Sequence, residues 1–330
     1  MNERIHSLQA LRFVAAAMVT LLHVQQGARL SLGLPVEGGV ISNIGSFGVD
    51  IFFVLSGYII CRTAAGMKPA DFFARRVARV VPIYWLATLL FLPFAVAAGF
   101  NGLRGIASLT FYPGFGLPWL AVGWTLCFEM LFYTVTAIVL IRPRSFLPLA
   151  LAVYAACWVA REAWGGPFQF FGNPIVLEFL FGAALTRVTA RSPVLGVAAL
   201  GTAVALLAMV ASAGLADANN VYGLVAGETA LARVAAMGVP AALVVWAALN
   251  FEMPRTVLSD LGDASYSLYL VHSHVVAAAL LALPLMPEAL FTALVTLLAI
   301  AAGLAMHRLV EKPMLAAVRR PRRAWRLAPA

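Results

Sequence analysis

The chain has 330 residues, 62% of them hydrophobic and only 11% charged, with a formal net charge of +9. A soluble domain carries about a quarter charged residues, so this composition excludes an ordinary water-soluble enzyme and points to a bilayer. Its basic excess then reads as loop asymmetry about a membrane rather than as a nucleic-acid surface.

Lipid satisfies no backbone polar groups, so spanning segments must be helices or a closed barrel. The apolar runs are long and continuous rather than alternating, which selects helices. In chain order, spans are expected at 8–24, 46–62, 80–99, 119–141, 146–163, 174–189, 194–213, 234–250, 264–285 and 289–309. The expected fold class is therefore all-α, a single polytopic bundle of about ten transmembrane helices. The first run follows a short basic stretch, as in a secretory signal. Nine further apolar runs follow it with no clear cleavage pattern after residue 24, so it reads as a retained span. The span at 174–189 is the weakest, being short and holding Glu178.

An even number of spans puts both termini on one side. With the termini in the cytoplasm, every basic residue except Arg29, Arg104, Arg161 and Arg233 falls in an inner segment. That is the asymmetry of the positive-inside rule. One membrane domain is expected over 1–315, followed by a basic tail over 316–330 lying on the anionic inner leaflet. Cys61, Cys127 and Cys157 are isolated in apolar runs and read as small buried hydrophobes rather than metal ligands or a redox pair.

Polar residues inside the spans carry the functional signal, because ionisable groups at membrane depth are costly. Arg12 and His23 lie eleven residues apart in the first span. Eleven helical steps return to nearly the same face, about 16 Å further along the axis. They read either as an inner anchor and a packed histidine or as two stations on one path through the bundle. Asp50 enters the second span at a depth comparable with His23, on the face of Val54 and Gly57. It is either a helix-start carboxylate or the acceptor of the second ring N–H of a histidine. In the following loop Asp71 reads as a helix cap. If 72–81 is helical, Arg75, Arg76 and Arg79 share one arc, suiting phosphate groups; positive-inside bias also accounts for arginines there. Glu129 sits near the middle of the fourth span on one face with Thr125, Tyr133 and Thr136, and requires a partner such as His23 or an arginine. His272 and His274 point to nearly opposite faces, which argues against a shared metal. Glu178 and the "EKP" at 311–313 read as helix-end pairing.

As an ordered set, these segments resemble the membrane-bound acyltransferase family 3, which includes bacterial O-acetyltransferases of surface glycans. The resemblance rests on "LQALRFVAAAMVTLLH", "FGVDIFFVLSGYII", "DFFARRVARVVPIYW", "GWTLCFEMLFY", "SYSLYLVH" and the terminal "EKP", and covers roughly 5–315. Small size and acidic-poor loops place it nearest the exopolysaccharide-modifying branch. The resemblance implies acetyl-CoA as a cytoplasmic acyl-donor substrate, no permanently bound cofactor, and a glycan or lipid-linked acceptor at a bacterial inner membrane. It implies that His23 is catalytic with Arg12 its partner in the motif, and that Arg12 with Arg75, Arg76 and Arg79 holds the donor. Glu129 matches the family's intramembrane glutamate. Cys127 departs from the serine-like residue common in "WTLCFE".

On this reading His23 acts as general base on a sugar hydroxyl or relays the acyl group as an acyl-imidazole. Asp50 and Glu129 complete the catalytic set, and Gly57, Thr125 and Tyr133 line the pocket. The competing reading is a secondary transporter or glycolipid flippase, since intramembrane His, Asp and Glu also serve proton relays. No repeat or pair of interrupted helices supports that alternative.

Overall fold

A computed structural model describes residues 5–36, 40–99, 102–140, 146–189, 191–212, 220–283 and 286–319. Among them are ten helices long and apolar enough to cross a membrane and no strand. These are α1 (His6–Ser31), α2 (Ile44–Ala64), α3 (Pro69–Ala97), α4 (Ala121–Val139) and α5 (Phe146–Trp164), then α6 (Phe168–Leu185), α7 (Pro193–Ser212), α8 (Ala230–Asn250), α9 (Val257–Ala282) and α10 (Glu288–Ala317). The all-α bundle expected from hydropathy is the observed fold. Of the basic tail, 320–330 lie outside the described residues, and the last helical stretch, Lys312–Arg319, runs across position 315.

The bundle is built around α2, whose apolar window is 72% buried, against 17% for α5 and α7 at the periphery. α1 packs against α2, α9 and α10, while α2 also contacts α6 and α8. The α2–α6 crossing is backbone-close. A Cβ on Gly57 would fall 2.0 Å from the carbonyl oxygen of Phe179, and one on Gly182 would fall 2.0 Å from that of Val54. Small residues permit such contact where lipid supplies no hydrophobic drive between helices. Gly57 is therefore a packing residue, not the pocket-lining residue expected.

Several boundaries differ from the sequence reading for identifiable reasons. α1 continues to Ser31, so His23 lies well inside the helix. The loop arginines and the third span form one continuous helix through Pro82. It starts with Pro69 at its first turn, where a missing N–H costs nothing. The start therefore falls ahead of Asp71, which sits in the first turn while Lys68 takes the cap position. The expected Asp71 cap is thus displaced by the proline. α6 is interrupted at 172–175, and Asn173 donates there to the Leu224 and Val225 carbonyls at 2.9 and 3.1 Å. π-helical turns occur at Val234–Gly238 in α8 and His307–Glu311 in α10.

Candidate active site

α1, α2, α3, α4 and α9 enclose a cavity holding about 850 Å³ of empty space, its mouth included. Arg12 from α1 and Arg76 and Arg79 from α3 all line it, as do Glu129, Thr125 and Tyr133 from α4. Positions 76, 79 and 80 follow helical i, i+3, i+4 spacing and turn together onto the cavity. Arg75 lies off that arc and is exposed. Of the four arginines expected at the donor site, Arg12, Arg76 and Arg79 meet on the cavity and Arg75 does not.

Each cationic group is held differently. Arg76 is buried, with its guanidinium 5.5 Å from the Phe72 ring centroid and 5.7 Å from that of Tyr133. It also donates to the hydroxyl of Thr63. A flat, weakly hydrated guanidinium suits this aromatic bracket better than an ammonium would. Arg12 donates to Gln9 Oε1 at 3.2 Å and lies within the field of Arg79, Glu129, Glu311 and Asp263.

Glu129 takes its hydrogen bonds from neutral donors. Tyr133, one turn on, donates to Glu129 Oε1 at 2.7 Å, and Ser56 of α2 donates to the same oxygen at 3.2 Å. The partner required for a carboxylate at this depth is therefore a hydroxyl pair, with the arginines across the cavity supplying the compensating field. Beyond Glu129, Thr125 and Tyr269 share a hydrogen bond of 2.7 Å, and Tyr269 donates to the Val122 carbonyl at 2.8 Å. Phe52 packs edge-on against Tyr269, their centroids 5.9 Å apart. These two rings line the cavity.

His23 does not line the cavity. It lies past Tyr269, against His272 of α9, whose centroid is 5.9 Å from Tyr269. His23 Nδ1 is 3.1 Å from His272 Nε2 and 2.9 Å from the Val19 carbonyl oxygen. His272 is fully buried and its Nδ1 lies 3.1 Å from the Leu268 carbonyl oxygen. His274 turns the other way, to the Ala87 carbonyl of α3.

Asp50 is not the partner of His23. It is fully buried and paired with Arg233, which donates through Nε at 2.9 Å and through a terminal nitrogen at 2.7 Å. The reason is helical register: Val54 and Gly57, which share the Asp50 face, pack on α6, so that face turns away from α1 and the cavity. Arg233, expected in an outer loop, is buried because α8 begins at Ala230. Glu178 lies, as expected, at a helix end, in the first turn of the helical segment Val176–Leu185, and is fully buried beside this pair. Its carboxylate approaches Gly238 in the π-helical turn so closely that a Cβ there would lie 2.7 Å from Oε1. Glu311 accepts from Ser267 at 2.6 Å and meets His307 at 2.7 Å.

Ser56, Tyr269, His272 and Arg233 were not singled out as site residues by the sequence. For His272 a signal existed. Ser265, Tyr269 and His272 fall at i, i+4 and i+7 and form one stripe, the first two on the cavity and the third beyond it.

Comparison with known proteins bears on the chemistry. A model of an acyltransferase domain matches residues 5–308. The chain is 35% identical over 300 residues to the exopolysaccharide production protein ExoZ of Rhizobium meliloti (strain 1021), an alignment covering 82% of this chain and 90% of that one. It is 27% identical over 325 residues to the acyltransferase MdmB of Streptomyces mycarofaciens, covering 83% and 79% respectively. No solved structure matches the chain. A match across nearly the whole bundle, joined to a relative that is itself aligned over nine-tenths of its length, settles the family: the chain belongs to the membrane-bound acyltransferase family 3 and is an acyltransferase.

Proposed function

We propose that this acyltransferase takes an acetyl group from acetyl-CoA and places it on a sugar hydroxyl of an exopolysaccharide or its lipid-linked precursor at a bacterial inner membrane. The observation that carries this reading is the cavity lined by Arg12, Arg76 and Arg79 and continuing past Glu129 to Thr125 and Tyr269. CoA has an anionic nucleotide end and a long thin arm ending in the thioester. Arginines suit its phosphates, and the largely apolar walls beyond them, set with a few polar groups, suit its arm. The exopolysaccharide acceptor is inferred from the likeness to the exopolysaccharide production protein ExoZ of Rhizobium meliloti. Membership of an acyltransferase family sets aside the transporter reading of the same polar path.

In this mechanism the hydroxyl oxygen attacks the thioester carbonyl carbon while its proton passes to His23 Nε2. The C–S bond breaks, and the proton returns to the departing thiolate, so that CoA leaves as the free thiol. General-base assistance of this kind contributes about 10²–10⁴-fold. In the covalent variant, Nε2 attacks the thioester carbonyl carbon and the C–S bond breaks, releasing CoA as the thiolate. The hydroxyl oxygen then attacks the acyl-imidazole, the C–N bond breaks, and the hydroxyl proton passes to the thiolate. Both routes need a neutral His23 with Nε2 unprotonated.

The test is mass spectrometry of surface glycans from a deletion strain complemented with wild type or with His23→Ala. Wild type restores O-acetyl groups, and His23→Ala, present in the membrane at equal amount, restores none. Equal acetylation by the two would overturn the role of His23, and glycans unchanged by the deletion would overturn the acceptor class.

A further inference from the structure

We propose that His272 is the positioning residue of His23, taking the place that the sequence offered to Asp50. This inference deepens the acetyl-transfer reading and rests on it for its kinetic consequence.

The hydrogen-bond geometry decides which ring nitrogens carry protons. A backbone carbonyl only accepts, so each histidine nitrogen facing one must donate. His272 Nδ1 faces the Leu268 carbonyl at 3.1 Å, so it carries the proton and leaves Nε2 with a lone pair. His23 Nδ1 faces the Val19 carbonyl at 2.9 Å and that lone pair at 3.1 Å. Its N–H is therefore shared between two acceptors. The reverse assignment sets a lone pair against a carbonyl on both rings. Two neutral imidazoles in this arrangement leave His23 Nε2 unprotonated, and that atom makes no hydrogen bond among the described residues.

The two acceptors do different work. Val19 lies on the same helix, one turn back, and fixes the tautomer. His272 comes from α9 and fixes the ring's rotation, because its own ring is buried and tethered to Leu268. When Nε2 takes a proton from the hydroxyl, the Nδ1–H bond to His272 becomes charge-assisted and shortens. In serine hydrolases a carboxylate performs this orienting function. A second imidazole performs it here without a fixed negative charge in the membrane. Tyr269, one turn before His272 on α9, faces the cavity, so one helix carries both the cavity wall and the group that aims the base.

The test compares purified His272→Leu and His272→Gln with wild type in detergent, using acetyl-CoA and a soluble acceptor sugar. Loss of an orienting partner with the Val19 bond intact is expected to lower kcat by about 10–100-fold in His272→Leu, less than the roughly 10⁴-fold seen when a triad acquires the wrong tautomer. KM for acetyl-CoA stays within about 2-fold, because the donor site is elsewhere. The amide oxygen of His272→Gln can accept the same N–H and restores most of kcat. Full activity in His272→Leu, or equal losses in both variants, would overturn the proposal. Nitrogen-15 NMR of ring-labelled wild type gives an independent reading: His23 shows a protonated Nδ1 and an unprotonated Nε2, and the opposite pattern rejects the pairing. If wild type consumes no acetyl-CoA the acyl-transfer reading fails, while the NMR result still decides the fate of the histidine pair.

Discussion

Arg75 and Arg76 are adjacent on α3, and the helix sends them to opposite environments. Arg76 is bracketed by Phe72 and Tyr133 on the cavity wall, whereas Arg75 is exposed. If Arg76 grips a donor phosphate, Arg76→Ala weakens acetyl-CoA binding at least about 10-fold, equivalent to roughly 1.4 kcal/mol. Arg75→Ala leaves it within about 2-fold, the scale of an exposed charge. Isothermal titration of both variants checks the pair, and equal losses would remove the distinction. A second contrast concerns the buried charges. Arg233→Leu leaves the buried Asp50 carboxylate without the cation that neutralises it, which costs about 3–5 kcal/mol by analogy with broken buried ion pairs. Asp50→Asn costs less, because Glu178 stands beside the pair and can take up the guanidinium. Melting temperatures in detergent should therefore fall further for Arg233→Leu than for Asp50→Asn. The reverse order would mean that Glu178 cannot reach Arg233.

Helix crossings set where these side chains go. At the α2–α6 contact the obstacle to a larger residue is backbone, with carbonyl oxygens 2.0 Å from the Cβ positions of Gly57 and Gly182, and backbone cannot rotate aside. Gly57→Ala must push α6 away from α2, an overpacking cost of about 1–3 kcal/mol. A lowered melting temperature with unchanged acetyl-CoA affinity checks this, since Gly57 faces α6 while Ser56 faces Glu129. The same crossing explains what could be read from the sequence and what could not. The spans were legible because a bilayer makes apolar length nearly sufficient to define a helix. Arg12, Arg76, Arg79 and Glu129 were legible as candidates because a charge stands out in an apolar run, and the structure gathers all four on one cavity. The fate of Asp50 was not legible, because its face is decided by how α2 rotates between α1 and α6. Nor was the partner of His23, which lies 249 residues away and is fixed by the α1–α9 packing rather than by any local pattern.

At the scale of the whole molecule, orientation and chemistry constrain each other. α1 enters at His6 and carries Arg12 within two turns of its start, while α3 begins at Pro69 and carries Arg76 and Arg79 within its first three turns. If the ten spans alternate across a bilayer, the starts of α1 and α3 and the end of α10 lie on one side. The arginine end of the cavity then lies on the side where α1 starts, and His23, about 16 Å beyond Arg12 along α1, lies toward the other. CoA esters are made and kept in the cytoplasm, so the donor reading requires the termini to be cytoplasmic, the orientation that the basic residues also favour. The inverted molecule would present its arginines to a compartment without donor. Single cysteines in a background with Cys61, Cys127 and Cys157 changed to Ala separate the two. In spheroplasts, a membrane-impermeant maleimide should label Pro35→Cys, in the exposed turn after α1, directly. It should label Glu252→Cys, exposed between α8 and α9, only after permeabilisation. The opposite pattern would turn the arginine end outward, and acetyl-CoA would have to give way to a donor available outside the cell.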